Sequence, residues 1–127
     1  MKAATLEHLN VTVTDPVATA DLFCRLFDWK IRWQGDAIDG GHSIHVGASD
    51  SYVALYTKGK PVSPGLESYV QLLGLNHIGI VVEDIDAVEA RVTGAGFTPH
   101  SHGDYEPGKR FYFKDHDGLE IEVVSYS

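Results

Sequence analysis

Two stretches of this chain are variations on one segment. Residues 6–15 read LEHLNVTVTD and residues 75–84 read LNHIGIVVED. Each is a short apolar run with a histidine near its start and an acidic residue at its end. His8 and His77 stand 69 residues apart at equivalent places. A repeat of this kind constrains architecture more than any local signal, because one supersecondary unit must be built twice.

The repeated unit can be read residue by residue. Leu9, Val11 and Val13 alternate with His8, Asn10 and Thr12, which describes a strand with one apolar and one polar face. Asp15 and Pro16 supply a helix N-cap and a first-turn proline. Val17, Ala20, Phe23, Leu26 and Phe27 then recur at helical spacing, so a helix is predicted over about 16–27. In the second copy Ile78, Ile80 and Val82 form the apolar strand face. Asp84 caps a helix carrying Ile85, Val88 and Val92, and Gly94 and Gly96 end it. Strand-like runs follow each helix, at 30–34, 42–46 and 52–57 and then at about 97–100, 110–114 and 119–125. Both halves therefore read βαβββ. The fold class is α+β, as one domain over 1–127 with module one at about 4–57, a linker at about 58–72 and module two at about 73–126. The segment 58–68, KGKPVSPGLES, has linker composition.

The last strands carry the register. Residues 52–56, YVALY, align with residues 120–124, EIEVV, at an offset of 68. Val53 and Leu55 then match Ile121 and Val123 as helix-facing pairs. Ala54 corresponds to Glu122, on the same side as His8 and His77. Two such units about a pseudo-twofold axis predict four convergent positions, His8, Ala54, His77 and Glu122. Three of them hold good ligands for a transition metal.

Composition sets the bounds. A chain of 127 residues with 43% hydrophobic residues suffices for one domain with a core. A formal charge of −8 argues against a nucleic-acid or anionic-membrane partner. The absence of an apolar leader or long apolar run predicts neither signal peptide nor membrane span. Cys24 is the single cysteine, which excludes an intrachain disulfide and fits a reducing cytoplasm. It sits in the helical apolar pattern and reads as a core residue rather than a nucleophile.

These features together resemble the vicinal oxygen chelate superfamily, the glyoxalase/bleomycin resistance/dioxygenase group. The resemblance rests on the paired starts LEHLNVTVTD and LNHIGIVVED and on the ending FYFKDHDGLEIEVV, with its aromatic strand, Asp-x-x-Gly turn and glutamate-bearing last strand. His116 stands where the family usually has proline. The resemblance implies two βαβββ modules forming a cup-shaped mixed sheet, a small-molecule substrate and a homodimer. It implies one divalent metal ion (Fe, Mn, Zn, Ni or Co) held by His8, His77 and Glu122. The glyoxalase I type has a fourth ligand at the position of Ala54, and alanine cannot bind a metal.

The resemblance leaves several chemistries open. Extradiol dioxygenases carry a tyrosine ten residues before the ligand glutamate, where Tyr112 stands. They also carry an acid/base histidine near Asp50-Ser51-Tyr52, which this chain lacks. His42 and His45 read as strand residues, one facing the cavity rim and one not. Fosfomycin-resistance transferases carry an arginine beyond the last strand, absent here, although Lys109 and Arg110 offer charge nearby. The alternatives are a metal-free small-molecule or antibiotic binder of the bleomycin-resistance type, whose members commonly lack the ligand histidines, or a fosfomycin-resistance-like thiol transferase. The expected reading is a metal-dependent lyase, isomerase or dioxygenase, with Tyr112 in the catalytic role and Asn10, Tyr52 and Tyr56 at the substrate. Glu120 reads as a solvated rim residue, 104–109 as a turn, and His100 and His102 as loop histidines.

Overall fold

The structure, a computed structural model, describes residues 2–63, 65 and 67–127. The chain divides into two compact units, residues 1–62 and 63–127.

In the first unit, strand β1 (His8–Thr12) leads into helix α1 (Pro16–Phe27). The Asp15 carboxylate accepts from the Val17 and Ala18 amides at 3.1 and 3.2 Å, satisfying two N–H groups the helix cannot pair itself. Pro16 occupies the first turn, where its missing N–H costs nothing. Thr19, Ala20, Phe23 and Leu26 are buried, and α1 packs over strands β2 (Lys30–Asp36), β3 (His42–Gly47) and β4 (Tyr52–Thr57). The sheet order is β1-β4-β3-β2, with β1 parallel to β4 and the other pairs antiparallel. Ile44, Val46, Val53 and Leu55 complete this core.

The second unit repeats the plan. Strand β5 (Ile78–Val81) precedes helix α2 (Ile85–Gly94), where the Asp84 carboxylate accepts from the Ala87 amide at 3.1 Å. Strands β6 (His100–Tyr105), β7 (Gly108–Lys114) and β8 (Glu120–Ser125) form a sheet in the order β5-β8-β7-β6, with β5 parallel to β8. Ile78, Ile80, Val88, Val92, Phe111, Phe113, Ile121 and Val123 are buried. Asp115 closes the β7–β8 turn by accepting from the Asp117 and Leu119 amides at 2.9 and 3.0 Å. Burial nevertheless pushes its carboxyl above the usual carboxylate value.

Register bears out the expected repeat alignment. Asn10 pairs with Ala54 across β1 and β4, and Gly79 pairs with Glu122 across β5 and β8. Ala54 and Glu122 are therefore equivalent. The same logic on the other flank pairs His45 with Ala54 and Tyr112 with Glu122. His45 is thus the counterpart of Tyr112.

Strand β6 departs from expectation. It spans His100–Tyr105 rather than 97–100, and the turn expected at 104–109 narrows to Glu106 and Pro107 at the hairpin tip. The strand sequence HSHGDY has no apolar alternation to read, because it lies at the sheet edge with most side chains exposed. Phe97, whose apolar ring drew the expectation, instead packs on Phe113 at 6.2 Å. The linker residues Pro64 and Leu66 lie outside the described residues. Among the described residues no helix is long and apolar enough to cross a membrane.

Candidate metal centre

The face of the second sheet turned from α2 carries the charged side chains, because strand alternation sends Phe111, Phe113, Ile121 and Val123 the other way. His77, one residue before β5, brings Nε2 to 3.2 Å from Oε1 of Glu122. Arg110 Nη1 donates to the other oxygen, Oε2, at 2.9 Å. His77 Nδ1 is engaged by the Tyr69 hydroxyl at 3.3 Å. Tyr112 lies edge-on to His77 at 5.7 Å, with His100 stacked along it at 6.2 Å. Burial, then the Glu122 charge and a hydrogen bond to that carboxylate, push the Tyr112 phenol above its ordinary value of 10.0. At neutral pH Tyr112 is therefore a proton donor.

Three nearby residues correct the sequence reading. Glu120 retains 19% side-chain exposure and faces His100 Nε2 at 3.5 Å, so it is no solvated rim residue. His100 and His102 are strand residues rather than loop residues, and His102 is bonded to Glu89 of α2 at 3.1 Å.

In the first unit His8 projects from the equivalent strand. Its Nδ1 bonds Glu7 at 2.9 Å, which holds that carboxyl below its ordinary value. A file of rings crosses the sheet. His8 stacks on Tyr52 at 4.8 Å, Tyr52 on His45 at 4.5 Å, and His45 packs against Trp33 at 5.0 Å. The register shift between Ile31 and Trp33 is a β-bulge, and it lets the adjacent Arg32 and Trp33 both reach this file. The Arg32 guanidinium lies 4.6 Å from the Tyr52 ring centre. Burial, then the positive charges of His8 and Arg32, lower the His45 pKa from 6.5, which favours its neutral imidazole.

Of the residues expected from sequence, His77, Glu122 and Tyr112 come together in the second unit. His8 and Tyr52 are in contact in the first, and Asn10 follows on the same face of β1 as His8. Ala54 is buried. Tyr56 is engaged elsewhere, its hydroxyl donating to the Ile38 carbonyl at 2.8 Å and its ring crowding Gly41. Sequence reasoning named two participants without placing them at these contacts, and missed a third. Arg110 shares strand parity with Tyr112 and was legible in principle. His45 required the register. Tyr69, in a 3-10 turn at Ser68–Val70, had no signal.

The donor chemistry of the second unit fits a divalent ion. Nitrogen and oxygen ligands about 2.1 Å from one ion, at angles of 90–110°, stand roughly 3.0–3.4 Å apart. The 3.2 Å between His77 Nε2 and Glu122 Oε1 lies in that range. Among the described residues no three His, Cys, Asp or Glu side chains are gathered to hold a metal.

Comparison with known proteins accords with this fold. The family model of the Glyoxalase/Bleomycin resistance protein/Dioxygenase superfamily matches residues 5–123. The chain belongs to that superfamily. No curated protein gives a significant match. Similar solved structures include a glyoxylase/bleomycin resistance protein/dioxygenase domain from Frankia sp., 20% identical with a TM-score of 0.81, covering 98% of this chain and 93% of that one. The fosfomycin resistance protein FosX from Listeria monocytogenes, solved with Mn(II) and sulfate, is 15% identical with a TM-score of 0.74, covering 99% and 95%. TioX from Micromonospora sp. is 18% identical with a TM-score of 0.69, covering 98% and 100%. At such identities the likeness extends to the fold.

Proposed function

We propose that this protein is a divalent-metal-dependent enzyme acting on a small oxygenated molecule held through neighbouring oxygens, with His8, His77 and Glu122 as metal ligands. One observation carries the reading. Each of these side chains has one atom held from outside the proposed ligand set, His8 Nδ1 by Glu7, His77 Nδ1 by Tyr69 and Glu122 Oε2 by Arg110, while His77 Nε2 and Glu122 Oε1 face each other at 3.2 Å. Metal-binding imidazoles and carboxylates are typically oriented in this way, with the outer atom hydrogen-bonded and the inner one directed at the ion. Two imidazoles and a carboxylate suit Fe, Mn, Zn, Ni or Co and leave coordination positions for substrate. The fold of a Mn(II)-bearing FosX supports the same assignment.

When bound, the ion would act as a Lewis acid toward a substrate oxygen. The chain's own contribution is then definable. Tyr112, held un-ionised, donates a proton or hydrogen bond to a substrate oxygen. Tyr52, fixed between two imidazoles, offers an aromatic edge, and Asn10 adds an amide on the same face. Lyase, isomerase and ring-cleaving chemistry all fit these roles. A homodimer in the cytoplasm is the setting we infer, from the family and the single cysteine.

A second reading, a metal-free binding protein, is favoured by the Arg110 guanidinium, which already neutralises Glu122. Metal content decides between them. Protein purified without chelator or histidine tag is analysed by plasma mass spectrometry beside His77→Ala. We expect about one divalent ion per chain, lost in the variant. No metal above the control, even after reconstitution, establishes the metal-free reading.

A further inference from the structure

Glu122 is held on its two oxygens by different chemistry. Oε1 faces the His77 imidazole at 3.2 Å, and Oε2 accepts from the Arg110 guanidinium at 2.9 Å. We infer that Arg110 is a positioning residue for the metal centre, occupying Oε2 so that Oε1 alone is offered to the ion. The inference rests on the metal reading above.

Three features of the fold support it. The first is that Arg110 is itself fixed. Its side chain is 16% exposed, and its guanidinium lies 5.1 Å from the Tyr105 ring centre, a cation–π distance that holds the charge in place. The second is the repeat. Arg110 pairs with Val124 across β7 and β8, and Ser43 pairs with Tyr56 across β3 and β4. Ser43 is therefore the counterpart of Arg110, just as Ala54 is the counterpart of Glu122. At these equivalent positions the first unit has neither carboxylate nor guanidinium, and the second has both. The third is the chemistry of carboxylates, which bind metals through one oxygen or two. A carboxylate whose second oxygen is bound to a guanidinium is confined to one. That saves a coordination position, and a substrate presenting two neighbouring oxygens needs two such positions. Tyr112 also bonds this carboxylate but brings no charge.

The experiment is Co(II) binding by the chelator-stripped protein, followed by calorimetry for affinity and by visible absorption for coordination. The d–d absorption of Co(II) weakens as its coordination number rises. Arg110→Met is expected to bind Co(II) at least about 10-fold more weakly than the parent, the range for loss of a group that orients a ligand. Its absorption per bound ion should also fall, as Glu122 becomes free to bind through both oxygens. Arg110→Lys, with a shorter point-charge donor, should lie between them in both readouts. If Arg110→Met does not fold, Arg110→Lys carries the test by the same spectral change. An Arg110→Met protein with the parent's affinity and spectrum overturns the inference and leaves the metal reading standing. A parent that binds no Co(II), Mn(II) or Zn(II) removes both.

Discussion

Glu122→Ala separates what this carboxylate does for the fold from what it does for a metal. Glu122 and Arg110 retain 13% and 16% side-chain exposure, so each is largely withdrawn from water. Deleting one partner of a buried ion pair costs about 3–5 kcal/mol, because the other charge is left uncompensated. The residual solvent contact here reduces that to about 2–3 kcal/mol. With a urea dependence of about 1.5 kcal/mol/M for a chain of this size, the unfolding midpoint should fall by about 1.3–2 M. The measurement is made in chelator, where any metal contribution is absent. Glu122→Ala/Arg110→Met should recover part of the loss, with a coupling energy of about 1–2 kcal/mol between the two positions. A single variant within about 0.5 kcal/mol of the parent, or additive losses, would refute the claim that this pair is an energetically coupled unit. Separately, Glu122→Ala should abolish metal retention and turnover, and full activity would sink the site proposed here.

Two further outcomes follow from the electrostatics. His45 should titrate by NMR below its ordinary value of 6.5, since burial and the positive charges of His8 and Arg32 disfavour its charged form. A depressed folded pKa means that the unfolded chain binds more protons in the window below 6.5, so His45 contributes a loss of stability as pH falls through it. His45→Gln should lack that part of the pH dependence, and a midpoint at or above 6.5 in the parent would contradict the assignment. Asp115→Ala should cost about 1–2 kcal/mol in urea unfolding, because the Asp117 and Leu119 amides lose their acceptor. The raised folded pKa of Asp115 makes its ionisation unfavourable to the fold. The parent should therefore gain stability relative to Asp115→Asn as pH falls from neutral toward 3.8, and a gap that widens in the parent's disfavour would refute this.

Much of the fold was legible because two signals agreed. Apolar alternation marked β1, β4, β5 and β8, and the caps Asp15 and Asp84 marked both helices. The repeat then extended each reading to its copy, which is how Ala54 and Glu122 were matched. Strand β6 was not legible, because an exposed edge strand has no need of apolar residues. Within the site, the repeat and strand parity brought out the ligand candidates and the family resemblance brought out Tyr112, but neither gave their partners. Whether Glu120 is solvated depends on His100 lying beside it, and that follows from the strand pairing of β6. Tyr69 reaches His77 from a turn whose path no periodicity describes. Tyr56 shared the parity of Tyr52, yet its hydroxyl was claimed by the Ile38 carbonyl, a loop contact invisible to pattern.

The strand order of the two sheets bears on how the molecule assembles. In each unit the second, third and fourth strands form a meander joined by short turns, whereas the first strand is added at the edge by parallel pairing. His8 pairs with Tyr52 and Ile78 with Ile121, so each of these contacts closes a loop of more than forty residues. Loop closure on that scale is entropically later than hairpin formation. The strands that carry His8 and lead from His77 are therefore expected to dock after the hairpins, an order that φ-value analysis would check. Under the ligand assignment proposed above, an ion would act as a seal on a folded chain rather than a nucleus for its collapse.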